Sequence, residues 1–428
     1  MKLQAYILMF KLFLSITTIH ALEVGIGTHM GIDKVRSYEV NNMVNKTGDL
    51  LIRDEITWDK VERYKGNLSL DKVSPDLIDY LNKNPKKSVI VFGYGNPNYD
   101  DWNRPVNDSS RDAYSNYVAY VLKKIGSSIG FVEIWNEWNL KTGRLIKDAG
   151  KAKDYAALVN NALPKIRSVY KGKVLIGGVG GDRPDWIFTK SFLTPEILKM
   201  ADGYSVHFYN FALSSDPYEM IQRVIALQDY LYKLNGNVNY PVYITEVGWP
   251  TYSGKHGSSE VESATKLSSL LFQANPLSWL KGVWLYELID FGNNKNEIEH
   301  NFGIFRSNLS PKNGFCIVKN TISYLKNKTY ISSGYLNNGI FWSTYEDLSA
   351  SYLVFFNKSI KGRITQEVSV ETLSKLEDIC ENKIISNATP LNGYYKLDIT
   401  DQIFVYKTST KGKAVDVKLI FKDFDNNF

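Results

Sequence analysis

Several things are scarce or missing in this chain, and each absence removes a class of function. Cysteine is nearly absent, with only Cys316 and Cys380 in 428 residues. A chain of this size can build its own core, so no disulfide framework is required. Two cysteines leave open both a single bridge and a pair of buried thiols. No G-x-G-x-x-G follows the first strand-like run, where His29-Met30-Gly31 stands instead. That argues against a doubly wound dinucleotide-binding sheet. The later cluster Gly177, Gly178, Gly180 and Gly181 lacks the spacing and reads as tight turns. No H-E-x-x-H occurs, and no His/Asp/Glu group has metal-ligand spacing along the chain. The expectation is no metal and no cofactor. Lys and Arg form no run, and 51 of them against 45 Asp and Glu give a mild +6, so nucleic acid is not an expected partner. Beyond the N-terminus no stretch is long and apolar enough to span a bilayer.

The N-terminus is the exception. Residues 1–21 carry Lys2, a mostly apolar stretch and the small Ala21, and the first acidic residue is Glu23. This is the pattern of a signal peptide cleaved near Ala21, and it predicts a secreted or periplasmic protein. Removal of Lys2 and Lys11 leaves 49 − 45 = +4. An uncleaved anchor is the competing reading, but Lys11 interrupts the apolar run. N-x-S/T sequons stand at Asn45, Asn67, Asn107, Asn308, Asn327, Asn357 and Asn387, relevant only where the host glycosylates.

What is abundant is aromatic: 9 Trp, 28 Tyr and 20 Phe. Rings in this number fill cores or line a surface that stacks on flat apolar faces.

From Glu23 to about residue 327, short β-branched runs alternate with longer amphipathic ones. Eight strand-like runs are Val24–Thr28, Leu50–Arg53, Ser88–Phe92, Phe131–Trp135, Lys173–Gly177, Tyr204–Phe208, Val242–Glu246 and Gly282–Leu288. Helical spacing marks Ser110–Ile125, Asp216–Leu234, Ser258–Ala274 and Phe315–Leu325. Eight strand–helix units predict a (β/α)8 TIM barrel over 22–330. From 331 to 428 the rhythm changes to short alternating runs such as Ser351–Asn357, Gln402–Thr408 and Val415–Phe421. These predict a small C-terminal antiparallel β-sandwich domain.

Barrel chemistry sits at the C-terminal ends of strands. Strand four ends in Trp135-Asn136-Glu137-Trp138, and strand seven ends in Thr245-Glu246-Val247-Gly248-Trp249. Two carboxylates facing each other across a barrel mouth are what glycosidic bond cleavage needs. A single strand-end Glu is more often a loop support, and Glu133, Asp54, Glu55, Glu287 and Asp290 read mainly that way, with one of the last four a candidate for a substrate hydroxyl. Glu133 in particular reads as a deeper structural carboxylate with a buried partner.

With these residues in place, the chain resembles glycoside hydrolase clan A, in which Asn-Glu ends strand four and a second Glu ends strand seven. Arg53, Asn136, Glu137, His207, Tyr209, Glu246 and Trp284 match clan positions. Arg53-Asp54-Glu55, Glu133-Ile134-Trp135-Asn136-Glu137 and Asn301-Phe302-Gly303 are most similar to family 39, the group of β-xylosidases, α-L-iduronidases and bacterial exopolysaccharide hydrolases. The resemblance implies Glu137 as acid/base and Glu246 as nucleophile of a retaining enzyme acting on a carbohydrate. It implies Arg53 and Tyr209 around Glu246, Asn136 on the sugar 2-hydroxyl, and His207 and Trp284 as further substrate-binding residues. Trp138 stands where relatives more often have Pro. His29, Trp102, Trp138 and Trp249 complete the expected sugar contacts, with Trp135 or Trp138 as a dry wall near Glu137. Seven of the nine tryptophans (Trp58, Trp102, Trp135, Trp138, Trp186, Trp249, Trp284) fall at strand ends or in the loops after them, about half of them expected to be packing only. Tyr94, Tyr99 and Trp102 form a candidate platform. A barrel that binds carbohydrate without cleaving it, and a transglycosylase using the same site, are the competing functions.

Overall fold

The computed structural model describes residues 22–428 except 143–145, 147, 182–184, 210–215, 360–363, 370–374, 383–387, 393, 400–401, 409–414, 423 and 425–428. The expected signal segment therefore lies outside the described residues, as does the Asn387 sequon. Among the described residues no helix is long and apolar enough to cross a membrane.

Eight parallel strands close into a barrel: β1 (Glu23–Gly27), β2 (Leu51–Thr57), β3 (Ser88–Gly93), β4 (Phe131–Ile134), β5 (Lys173–Gly180), β6 (Gly203–Phe208), β7 (Val242–Val247) and β8 (Leu280–Leu285). Closure comes from β8 pairing with β1, Gly25 opposite Trp284. The helices outside include α1 (Ser37–Thr47), α2 (Trp58–Val61), α3 (Pro75–Lys83), α4 (Asp108–Ile125), α5 (Ala152–Val169), α6 (Ile187–Phe192), α7 (Pro195–Met200), α8 (Pro217–Leu234), α9 (Glu260–Ala274) and α10 (Phe315–Asn327). Four of them, α4, α7, α8 and α9, start on a side chain that satisfies a free backbone N–H group. Asn107 accepts from Ser110 N at the head of α4, Asp216 from Tyr218 N at α8, and Ser259 from Glu262 N at α9.

Three tyrosines lock helices to strand ends. Tyr117 of α4 donates to Ile56 O of β2 at 2.8 Å, and Tyr114 to Phe92 O of β3 at 2.7 Å. Tyr155 of α5 donates to Ile134 O of β4 at 2.9 Å. Each ring fills the helix–strand layer, and its hydroxyl satisfies a carbonyl at the rim where the sheet ladder ends.

The barrel interior is layered. At its floor Val89, Phe131, Leu175, Tyr243 and Trp284 form an apolar cluster, none more than 5% exposed. Gly25 is required there, since a Cβ on it would lie 2.1 Å from the Trp284 indole nitrogen. One strand step higher, Arg53 and Glu133 replace the apolar residues.

The C-terminal region contains a five-stranded antiparallel sheet in the order β13-β16-β11-β10-β9 and a three-stranded sheet in the order β12-β15-β14. The strands are β9 (Thr329–Tyr335), β10 (Ile340–Glu346), β11 (Ser351–Asn357), β12 (Ile364–Ser369), β13 (Leu376–Asp378), β14 (Ala388–Leu391), β15 (Tyr394–Ile399) and β16 (Phe404–Lys407). The larger sheet is covered on both faces, and β10 and β11 are buried at nearly every position. Ile340, Trp342, Leu353 and Phe355 share a core with Val368, Leu397 and Ile399 of the smaller sheet. Phe341, Tyr345, Tyr352, Val354 and Phe356 belong to the barrel's own core, with Phe272 of α9 and Ile322 of α10. Strand β9 has no counterpart in the sequence reading. Val415–Phe421, read as a strand, instead holds a helical turn, Val417–Ile420, capped by Asp416 accepting from Lys418 N.

Cys316 of α10 and Cys380 after β13 form a disulfide, S–S 2.03 Å, tying the barrel's last helix to the β region. Asn320 reinforces the seam by donating to Ile379 O at 2.8 Å. The Asn357 sequon is 3% exposed, closed to a glycan.

Candidate active site

The strands β2, β4, β6 and β7 bring one charged network to the barrel mouth. Arg53 is its hub. Its Nε donates to Glu133 Oε2 at 2.7 Å, one terminal nitrogen to Glu246 Oε1 at 2.5 Å, and the other to Asn136 Oδ1 at 2.9 Å. Glu133 also accepts from the Thr245 hydroxyl at 2.8 Å. It is therefore the structural carboxylate that the sequence suggested, orienting the arginine. Burial alone would push its carboxyl up, and Arg53 and His207 more than offset that, holding it well below the usual range.

Glu246 is buried, with Arg53 on one oxygen and the Tyr209 hydroxyl donating to the other at 2.5 Å. Burial opposes its charge, but His207, Arg53 and Tyr209 outweigh it, and the carboxyl sits below its ordinary value. An ionised carboxylate with both oxygens fixed is a prepared nucleophile.

Glu137 faces it. A carboxylate oxygen of Glu137 lies within 4.8 Å of one of Glu246. The residue lies just past β4 with a left-handed backbone, φ 46°, held by its N–H on Gly178 O at 2.8 Å. The glycine cluster of β5 makes this possible. A Cβ on Gly180 would lie 2.2 Å from Glu137 Oε1, and Gly177 and Gly178 carry φ of +112° and +52° where β5 bulges. Those glycines clear space for the acid, a use that sequence spacing did not reveal.

His207 is corrected from a substrate contact to a support. Its ring is buried between the two acids, Nδ1 3.1 Å from Glu137 Oε1 and 3.7 Å from Glu246 Oε1. Burial pulls its pKa down and Arg53 does the same, while Glu246, Glu133 and Glu137 push it up to about 9. Glu137, His207 and Glu246 also have ligand atoms mutually within 4.8 Å. The sequence, in which they are far apart, gave no sign of such a group. These are the residues that would hold a metal, with the Arg53 guanidinium 3.3 Å from His207 Nε2 opposing one.

Above this network lies a cavity of about 740 Å³. Arg53, Asn136, Glu137, Tyr209, Glu246, His29 and Trp102 line it, as the sequence predicts. Three expected sugar contacts do not. Trp138 is fully buried beneath Trp135, ring centroids 5.1 Å apart, with its N–H on Lys151 O. Trp249 is 1% exposed and part of the barrel core. Trp284 lies in the floor cluster. It points into the barrel but lies too deep for the substrate contact expected of it. Side chains repeat every two residues along a strand, and Tyr286, two positions on, is the ring that reaches the cavity. Neither Trp135 nor Trp138 lines the cavity, so the expected dry wall is not built from them. Of the seven rim tryptophans only Trp102 lines the cavity; Trp58, Trp135, Trp138, Trp186, Trp249 and Trp284 are each at most 2% exposed. In the candidate platform Tyr94 and Trp102 line the cavity, while Tyr99 stacks on Trp58 at 4.9 Å and donates to Glu62.

Trp102 is presented by an unusual turn. Asp100, Asp101 and Trp102 all have positive φ, 47°, 49° and 65°. Asp100 fastens the turn by accepting from Asn107 Nδ2 at 2.5 Å. Gly95 admits it, since a Cβ there would lie 1.8 Å from Trp102 O. Backbone held in sparsely populated regions collects at ligand sites.

The far wall holds Phe291 and Glu299, which the sequence did not single out, and Phe302, which it marked only as part of a motif. Phe291, Glu299 and Phe302 come from the long connection between β8 and α10, which has no periodicity to read. Lys312 pins that connection through Asp290 at 2.7 Å, Thr251 at 2.8 Å and Asn301 O at 3.1 Å. Asn301 donates to Asn294 O and Glu297 O, so the Asn-Phe-Gly motif is a loop staple that presents Phe302. Asp54 serves the β1 loop by accepting from Met30 N at 2.7 Å and Gly31 N at 2.8 Å. Glu55, one of the four acids among which a substrate-hydroxyl contact was a candidate, lines the cavity.

No protein-family model matches the chain, and no curated protein does. Solved structures do. A family 39 glycoside hydrolase from the gut symbiont Bacteroides cellulosilyticus superimposes with TM-score 0.71 at 21% identity, covering 91% of this chain and 81% of that one. A GH39 enzyme from Xanthomonas axonopodis pv. citri gives 0.58 at 12% identity, with 91% and 94% covered. An endo-β1,6-glucanase gives 0.58 at 15% identity, with 91% and 92% covered. At these identities the likeness is one of architecture: this chain has the barrel-plus-β fold that these glycoside hydrolases have.

Proposed function

We propose that the protein is a secreted retaining glycoside hydrolase that cleaves β-type O-glycosidic bonds of an oligo- or polysaccharide. The observation that carries this reading is the facing pair, Glu137 and Glu246, with carboxylate oxygens within 4.8 Å. Retaining enzymes hold their carboxyl groups ~5–5.5 Å apart, whereas inverting ones leave ~6.5–9.5 Å for a water. The fold shared with glycoside hydrolases supports the same reading.

In the first step a Glu246 oxygen bonds to the anomeric carbon as the glycosidic C–O bond breaks. Glu137 gives its proton to the departing oxygen. In the second step water bonds to the anomeric carbon and the ester to Glu246 breaks. Glu137, now ionised, takes the water's proton. Positive charge grows on the sugar in both transition states, and the anionic Glu246 lies beneath it. Arg53 and Tyr209 keep that carboxylate charged and fixed, and Asn136, oriented by Arg53, is placed for the sugar 2-hydroxyl. His207 spans both acids and holds their separation.

Export through the segment 1–21 is part of the proposal. The Cys316–Cys380 bridge supports it, since disulfides persist in oxidising compartments. The test is a screen against a glycan library with the product anomer read by NMR. Hydrolysis with retained configuration is expected; an inverted product rejects the mechanism, and no hydrolysis rejects the activity.

A further inference from the structure

The connection between β8 and α10 reaches the catalytic pair as well as the cavity wall. Its segment Asn301-Phe302-Gly303 is clamped on both sides of the phenylalanine. On one side Asn301 O accepts from the Lys312 ammonium at 3.1 Å, from Thr251 N at 2.9 Å and from the Thr251 hydroxyl at 3.1 Å. On the other side Gly303 N donates to Asp290 Oδ1 at 2.9 Å, the oxygen that also accepts from Lys312 at 2.7 Å. The side chain of Lys312 is 5% exposed and that of Asp290 3%. Lys312 does not line the cavity, so its charge is spent on holding backbone and not on a sugar.

Phe302 sits between these fixed points. Its ring packs edge-on against Tyr209 at 5.7 Å and against Tyr286 at 5.2 Å, and those two rings meet edge-on at 5.7 Å. Gly248, two residues past Glu246, leaves it room, since a Cβ there would lie 2.9 Å from the Phe302 ring. Tyr209 in turn donates to Glu246 Oε2 at 2.5 Å. A hydrogen bond depends on direction as well as distance, so the tilt of the Tyr209 ring sets its strength.

We propose, resting on the glycosidase reading above, that Lys312 is a positioning residue for the nucleophile: by clamping both sides of Phe302 it keeps the Tyr209 hydroxyl aimed at Glu246. The ammonium touches neither substrate nor the reacting atoms and acts only through the two rings.

The test has one arm that needs no substrate. In protein labelled with 3-fluorotyrosine, the 19F signal of Tyr209 is identified by its loss in Tyr209→Phe. Its position in Glu246→Ala marks a Tyr209 without its acceptor. Lys312→Met should move the Tyr209 signal at least about half of the way to that position while leaving the signal of Tyr243, in the barrel floor, in place. A Tyr209 signal that stays put overturns the proposal, whatever the protein hydrolyses. The second arm is kinetic. Lys312→Met should lower kcat about 10-fold, the scale of one hydrogen bond to a charged group, with KM changed less than about 3-fold. In a Tyr209→Phe background the same substitution should cost less than about 2-fold, because the bond it acts on is already gone. An equal loss in both backgrounds overturns the proposal, since a direct field of the ammonium would survive Tyr209→Phe. If the single variant does not fold, Lys312→Met combined with Asp290→Asn removes the ammonium without stranding a buried charge and is held to the same outcomes. A wild-type protein that cleaves no glycan rejects the glycosidase reading alone, and the fluorine signal then decides the role of Lys312.

Discussion

The floor and the mouth of the barrel are built from the same strands and have opposite chemistry. On β4 the inward residues run from Phe131 to Glu133 and on to Glu137 just beyond the strand. Around β8 they run from Trp284 to Tyr286. At the floor a large indole is accommodated by Gly25 of β1 and Gly282 of its own strand, and its buried N–H has no hydrogen-bond partner among the described residues. One step up, Arg53 is surrounded by three acids or amides, and every group there depends on another for its charge or direction. The floor gains from area removed from water, whereas the mouth places charges where they are costly unless paired. A barrel of this kind separates what holds it together from what it does, within two residues of strand.

The separation can be broken most severely at the nucleophile. Glu246→Ala should lower kcat by about 10⁴-fold or more while leaving the thermal midpoint within a few degrees. Azide, small enough to enter the vacated space, should restore turnover and give a glycosyl azide of the opposite anomeric configuration. Loss of activity through unfolding instead would show that mouth and floor are one unit.

The next largest effect lies at the floor. Trp284→Ala should cost about 3–5 kcal/mol in denaturant unfolding, with kcat of the folded fraction near wild type. A large kcat loss at unchanged stability would return Trp284 to the sugar-contact role that its sequence position suggested.

A third distinction is pH. His207 is raised to about 9 in the folded protein, so its contribution to stability is complete below its unfolded value near 6.5 and is lost as pH rises through about 9. Unfolding free energy should fall across that window by on the order of 2–3 kcal/mol, and His207→Gln should flatten the fall. Glu133 and Glu246 are held low, so their share is present above the ordinary carboxylate range and is lost as pH drops through their lowered values. Floor variants such as Trp284→Ala should keep both slopes. An unchanged alkaline slope in His207→Gln would remove that residue from the network.

The smallest effect belongs to Trp102. Trp102→Ala should raise KM about 10-fold with a lesser change in kcat, and shift stability by under about 1 kcal/mol. If kcat falls more than KM rises, the ring positions the reacting bond and not a neighbouring sugar.

What the sequence made legible follows the same division. Strand identity shows in runs of β-branched residues, and an acid at the end of a barrel strand points to the mouth, so Glu137 and Glu246 could be read; Arg53 and Tyr209 came only from the resemblance to clan A. Depth could not be. Period-two alternation says that Trp284 points inward but not that the next inward residue, Tyr286, is the one at the cavity. Trp138 and Trp249 lie past strand ends, as a sugar platform would, yet the chain there turns outward and buries them between barrel and helices. His207 occupies a matching position and was assigned to substrate, because nothing local tells a ring between two acids from one above them. Glu299 sits in a connection held by Lys312 and Asn301, contacts that no pattern encodes. In the β region, Val415–Phe421 alternates like a strand, but Asp416 caps a helical turn.

The bridge between Cys316 and Cys380 encloses the chain from the barrel's last helix through β9 to β13 in a covalent ring, the two cysteines 64 residues apart. A protease that cuts once anywhere inside that ring does not release a fragment. Nicked protein would run as a single species until a reductant is added, and the β region would stay with its barrel after an encounter that severs the chain between them.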